Sequence, residues 1–201
     1  MNTEWVSIEN LPHYEGKDVE IRGWLSNRRS SGKVVFLILR DGTGFLQVTL
    51  GLGEHFDREE LKFWERLPLE SALVVEGRVR REERAPGGYE VEGKKVTLVS
   101  SSEEYPIQKK DHSVEFLMEN RHLWLRSRRQ NAILRIRNQV MMSIHEFLQG
   151  QGFTLIDPPI LTPAACEGTT TLFALDYFDL GKAYLSQSGQ LYMEAACMAF
   201  G

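Results

Sequence analysis

Cysteine is nearly absent, with two in 201 residues. Cys166 and Cys197 stand far apart, with no C-x-x-C and no nearby His pair. That excludes a zinc motif and a disulfide framework, and it makes a reducing cytoplasm the expected location. No apolar run approaches bilayer-spanning length, so no membrane partner is expected, and Met1-Asn2-Thr3-Glu4-Trp5 lacks the basic-then-apolar design of a signal peptide. Positive charge is not in excess either. With 24 Lys and Arg against 28 Asp and Glu, the net charge is −4, which argues against indiscriminate nucleic-acid binding and confines any RNA contact to a local patch. What remains is the ordinary apolar and charged content of a globular chain with room for one large or two small domains.

The richest stretch runs from Arg22 to Val48. Val34–Arg40 and Phe45–Leu50 are β-branched-rich runs separated by Asp41-Gly42-Thr43-Gly44, a strong hairpin signal. Closure there pairs Arg40 with Phe45, Ile38 with Gln47 and Phe36 with Thr49. Alternation then sends Leu37, Leu39, Leu46 and Val48 into a core and leaves Phe36 and Gln47 as diagonal neighbours on the other face. A ring beside an amide, flanked by Arg28 and Arg29, suits an unpaired base: the ring stacks, the amide reads an edge and the guanidinium groups hold phosphates. The alternative is that Phe36 and Ile38 only cover a second sheet face.

Around this hairpin, residues 1–102 read as one domain. Val19, Ile21, Gly23 and Leu25 alternate with Asp18, Glu20, Arg22 and Trp24 as a first strand. Asp57-Arg58-Glu59-Glu60 has capping-box form with Phe56 as its staple, Leu61, Trp64 and Leu67 recur at helical spacing, and Pro68 ends the segment. Ala72–Val79, then Tyr89–Val91 and Val96–Val99, return to strand composition. Three strands, a helix and two strands is the order of a five-stranded OB barrel, whose second and third strands commonly bind oligonucleotides. Residues 103–126 read as a hinge. Ser127 is placed to cap a long helix ending at Gly150, with Ile133, Ile136, Val140, Ile144 and Phe147 as its apolar stripe. The arginines between Arg121 and Arg137 fit a solvated helix face or a phosphate-contacting one. His145 has no ligand partner at metal spacing and reads as an ordinary helix histidine, so no metal site is expected. Pro158 and Pro159 confine Phe153–Leu161 to an edge or interface strand.

Arg22-Gly23-Trp24, Asn27-Arg28-Arg29, Phe36 through Gly44 and Gln47-Val48 closely resemble the anticodon-binding barrel of the aspartyl/asparaginyl/lysyl branch of class II tRNA synthetases. The long helix, Gly152-Phe153, short strand and Pro159 resemble the first signature motif of that class. The resemblance implies an α+β chain: an OB barrel followed by the beginning of the catalytic domain, over 127–201. It implies a stacked central anticodon uridine on Phe36, read by Gln47 and supported by Arg29 and Arg28, and a homodimer through the motif helix and Pro159. Glu167 resembles the glutamate of a loop that closes over the amino acid and neutralises its ammonium group. Ser186-Gln187-Ser188-Gly189-Gln190-Leu191-Tyr192-Met193-Glu194 resembles the segment lining the amino-acid pocket, with Ser188 and Gln190 as substrate contacts.

Aspartyl members of the branch typically place a lysine at the Met193 point, whereas Glu194 matches the glutamate of those acting on asparagine. A carboxylate accepts a hydrogen bond from the asparagine NH₂ and repels aspartate. Two like charges about 4 Å apart cost roughly 4 kcal/mol at an effective dielectric of about 20, on the order of a thousandfold in affinity. The implied reaction is therefore ATP- and Mg²⁺-dependent activation of asparagine and its transfer to the 3′ end of tRNA(Asn). The second and third motifs, with their catalytic arginines, are not found before Gly201. The portion in hand is thus expected to hold no catalytic residue and to be inactive alone. An aspartyl-type enzyme, and a non-catalytic OB-fold RNA-binding protein, are the competing readings.

Overall fold

Alternation of buried and less buried residues along most of its strands builds the first half of the chain into a barrel. The computed structural model describes residues 3–163 and 172–201, divided into two units, Met1–Leu117 and Met118–Gly201. In the first, β1 (Glu4–Trp5), β2 (Asp18–Ser31), β3 (Val34–Arg40), β4 (Phe45–Gly51), β5 (Ala72–Arg81) and β6 (Tyr89–Ser100) form one sheet in the order β1-β2-β3-β4-β6-β5, closed by β2 pairing with β5. β2 serves two neighbours, lying against β5 from Asp18 to Trp24 and against β3 from Trp24 to Ser31. The runs at Tyr89–Val91 and Val96–Val99 are one continuous strand, which pairs with β4 at Gln47–Thr49 and with β5 along its length. Gly77 permits the close β5–β6 approach: a Cβ there would sit 2.2 Å from the Glu92 carbonyl oxygen.

Inside lie Val19, Ile21, Leu25, Leu37, Leu39, Leu46, Val48, Leu50 and Val75, all fully buried. The hairpin takes the expected register, Phe36 opposite Thr49, Ile38 opposite Gln47 and Arg40 opposite Phe45. Its loop is held by Asp41. One carboxylate oxygen accepts from Thr43 N (2.7 Å), Thr43 Oγ1 (2.7 Å) and Gly44 N (2.8 Å), and the other accepts from Ile8 N (2.9 Å), tying the N-terminal segment to the hairpin. Burial is the largest single influence on this carboxyl and opposes ionisation. The donated hydrogen bonds together outweigh it and hold the group below its ordinary 3.8. α1 (Arg58–Arg66) carries the full capping box: Asp57 accepts from Glu59 N and Glu60 N, and Glu60 accepts from Asp57 N. Phe56, Leu61, Trp64 and Leu67 join the barrel core.

Two short helices follow, α2 (Val114–Glu119) and α3 (Arg121–Trp124). In the second unit α4 runs from Arg128 to Gly150, and Ser127 Oγ accepts from Gln130 N (3.3 Å) as its cap. No residue of α4 is buried; its stripe stays open, with Ile136 and Phe147 about two-thirds exposed. The expected strand over Phe153–Leu161 is reduced to β7 (Leu161–Thr162), since two prolines remove the N–H groups a ladder needs. β7 joins β8 (Ala174–Asp176) and β9 (Lys182–Leu185) in an antiparallel sheet ordered β7-β9-β8, and α5 (Gln190–Phe200) follows. Ala183 and Ala196 are the buried apolar residues of this unit among those described.

Candidate nucleic-acid interface and substrate segment

On the outer face of β2, β3 and β4, three of the four expected anticodon residues meet. Arg29 pairs with Phe36 across β2 and β3 and lays its guanidinium 4.4 Å from the centre of the Phe36 ring. Its Nη2 donates to Gln47 Oε1 at 3.3 Å, and Gln47 Nε2 donates to Glu90 Oε2 at 3.0 Å. Phe36 is half-buried. Gln47 shares its face but is only 7 % exposed, because Arg29 and Glu90 close over it. The amide expected on the solvent side is therefore covered. An amide has two N–H donors and two carbonyl lone pairs. With Glu90 and Arg29 each taking one, one donor and one acceptor of the amide remain.

Arg28 does not belong to this group. It pairs with Leu37, which points inward, and its Nε donates to the Glu65 carbonyl at 2.5 Å. Alternation sends neighbouring strand residues to opposite faces, so Arg28 and Arg29 cannot share one. Arg28, with Ser30 Oγ donating to Glu65 Oε1, fastens the end of α1 to β2. Glu90 is the residue that sequence reasoning missed. Its place depends on the parallel β4–β6 pairing that sets Gln47 against it, a contact between residues 43 apart that no local pattern announces.

The second unit holds a cavity of about 320 Å³ whose lining includes Pro158, Pro159, Leu172, Ser188, Leu191 and Tyr192. Ser188 Oγ accepts from Gln190 N at 3.4 Å, and Ser186 Oγ donates to the Ser188 carbonyl at 2.8 Å. Pro158 packs so close to Gly189 that a Cβ at 189 would meet its ring at 2.5 Å. The expected pocket uniting Ser188, Gln190 and Glu194 is not formed by these residues alone. α5 turns Leu191, Tyr192 and Ala195 toward the cavity. Gln190 and Glu194, one turn apart, lie along another stripe, both exposed. Glu167 lies outside the described residues. Among those described, no group of three or more His, Cys, Asp or Glu could hold a metal ion, and the cavity lining has no charged side chain. No described helix is long and apolar enough to cross a membrane.

An OB barrel followed by a helix, a proline-bearing segment and a small antiparallel sheet defines a class. Residues 19–99 match the family model for the OB-fold nucleic acid binding domain, and residues 113–201 match that for tRNA synthetases class II (D, K and N). Residues 113–201 thus match the class II synthetase family, and residues 19–99 match the OB-fold family. Over nearly the whole chain, the similarity is to asparagine–tRNA ligases: that of Symbiobacterium thermophilum is 52% identical over 98% of this chain and 45% of its own length, and that of Thermus thermophilus is 53% identical over 97% and 44%. The crystal structure of asparaginyl-tRNA synthetase from Pyrococcus horikoshii, complexed with asparaginyl-adenylate, superposes with a TM-score of 0.88 at 38% identity, covering 98% of this chain and 46% of that one. The chain spans less than half the length of the relatives it matches.

Proposed function

We propose that this chain supplies the anticodon-binding barrel (1–102), hinge (103–126) and leading catalytic segment (127–201) of an asparagine–tRNA ligase. In the complete cycle the asparagine carboxylate attacks the α-phosphorus of ATP, with Mg²⁺, and pyrophosphate leaves. A terminal ribose hydroxyl of tRNA(Asn) then attacks the acyl carbon, losing its proton as AMP departs. The residues in hand bind and select. Phe36 stacks the central anticodon base, Gln47 reads it, and Arg29 covers both until the tRNA arrives. Ser188, from the cavity lining, and Gln190 and Glu194, from their stripe of α5, face the amino acid once the rest of the catalytic domain is in place, with Glu167 on the ammonium group. α4 and Pro159 serve a homodimer, and the enzyme works in the cytoplasm.

The observation that carries this reading is identity of 52% to an asparagine–tRNA ligase over nearly the whole chain, joined to a neutral Met193 where an aspartate pocket needs a cation and to Glu194 beside it. The test is ATP–pyrophosphate exchange by the full-length protein with each amino acid. Exchange driven by asparagine on the order of a thousandfold better than by aspartate is expected from the charge argument. Equal stimulation by aspartate overturns it.

A further inference from the structure

We infer that the nucleic-acid face of the barrel continues past Phe36 along β2 to a second base-stacking platform at Trp24, which takes an unpaired nucleotide other than the one held at Phe36. The inference rests on the reading of the barrel as an RNA-binding domain.

In a regular strand Trp24 and Arg29, five positions apart, would point to opposite faces. The β2–β3 register shifts between Leu25 and Asn27, so one extra residue, Ser26, is taken up in a bulge. Beyond it Asn27 faces Ile38 and Arg29 faces Phe36, while before it Trp24 faces Arg40. Arg40 and Phe36 share a face of β3, so the bulge brings Trp24 and Phe36 onto one surface, about 13 Å apart along the strand at roughly 3.3 Å per residue.

Trp24 is 45% exposed, a large apolar side chain left open beside a closed core. Beneath it Arg40 sets its guanidinium 5.2 Å from the ring centre and forms an ion pair with Glu70, both side chains largely buried. Glu70 keeps that position at φ +68°, where residues other than glycine rarely sit, with its N–H donating to the Leu25 carbonyl at 2.7 Å. Two positions on, Arg22 is 64% exposed, paired with Glu20 and lying 5.9 Å from the ring centre of the exposed Trp5. Open rings alternating with guanidinium groups match a strand of RNA, whose bases offer π-faces and whose linkages offer anionic oxygens. Apart from this track and Phe63, the barrel leaves few large apolar side chains open.

The test uses the 201-residue chain and fluorescein-labelled decauridylate, with binding read by anisotropy. Trp24→Ala is expected to weaken binding about 5- to 150-fold, the worth of one base stack. Trp24→Phe should restore most of it, whereas Trp24→Leu, which keeps apolar bulk without a π-face, should not. Combined with Phe36→Ala, the fold-losses should multiply, because sites this far apart act independently. Arg22→Gln should reduce the slope of log K against log salt by about 0.7, one phosphate contact to a single strand. A Trp24→Ala variant with unchanged melting temperature and wild-type affinity overturns the inference. So does self-association of the wild-type chain abolished by Trp24→Ala, which assigns the side chain to a second copy. Failure of the wild type to bind RNA overturns this inference and the RNA reading together. Loss at Phe36→Ala without loss at Trp24→Ala sinks the second platform alone.

Discussion

Arg29 stacks on Phe36 and holds the Gln47 carbonyl; on the proposed reading, a base on the ring would free its charge for phosphate. Phe36→Ala is therefore expected to cost about 1–3 kcal/mol of tRNA affinity with little change in melting temperature, since the ring is half-buried and outside the core. Anisotropy titration and thermal melts, run in parallel, check both. A large fall in melting temperature with unchanged affinity would mean that the ring only packs. Gly77 gives the opposite case. An added methyl would press on the Glu92 carbonyl and Val91 Cγ1, so Gly77→Ala should lose about 1–3 kcal/mol of stability by overpacking, read by denaturant unfolding. The Phe36–Gln47 diagonal was legible because a period of two and a turn signal fix it. The cover over Gln47 was not, because Glu90 arrives from a distant strand.

Whole elements were most legible where their ends carry hydrogen-bonding side chains. Asp57 and Ser127 mark the starts of α1 and α4, and both caps are made in the structure. Asp57→Ala should remove about 1 kcal/mol, seen as a lower denaturation midpoint at unchanged m-value. The strand predicted around Pro158 and Pro159 shrank because extended conformation without N–H donors makes no ladder. Asp41 ties the β3–β4 loop to the N-terminal segment, and its folded pKa lies below the ordinary 3.8. A depressed carboxyl contributes stability that is complete above the unfolded value and lost as pH falls through the folded one. Asp41→Asn should therefore lower the melting temperature at neutral pH, and its deficit against wild type should narrow as pH drops below 3.8. A deficit independent of pH would show that ionisation of Asp41 plays no part.

At the scale of the molecule, the two units differ in how much apolar surface they bury. The barrel buries a continuous core, whereas α4 leaves Ile136, Ile144 and Phe147 more than half exposed. Replacing Ile144 and Phe147 by Asp should abolish any concentration-dependent association of the chain in sedimentation velocity, if that face meets a second copy as proposed. The same exposure limits chemistry. The preference assigned to Glu194 is Coulombic, and a pair of like charges about 4 Å apart repels by roughly 4 kcal/mol near a protein surface but only about 1 kcal/mol in bulk water. Glu194 and Gln190 are both exposed in this chain, so whatever discrimination they exert here falls toward the aqueous limit. The 201-residue chain should accordingly give no asparagine-dependent ATP–pyrophosphate exchange. In the full-length protein, Glu194→Gln should bring the kcat/KM values for asparagine and aspartate closer together by removing the repulsion. Unchanged relative kcat/KM values would place the selecting group elsewhere, and exchange by the chain alone would mean that its exposed stripe needs no cover to act.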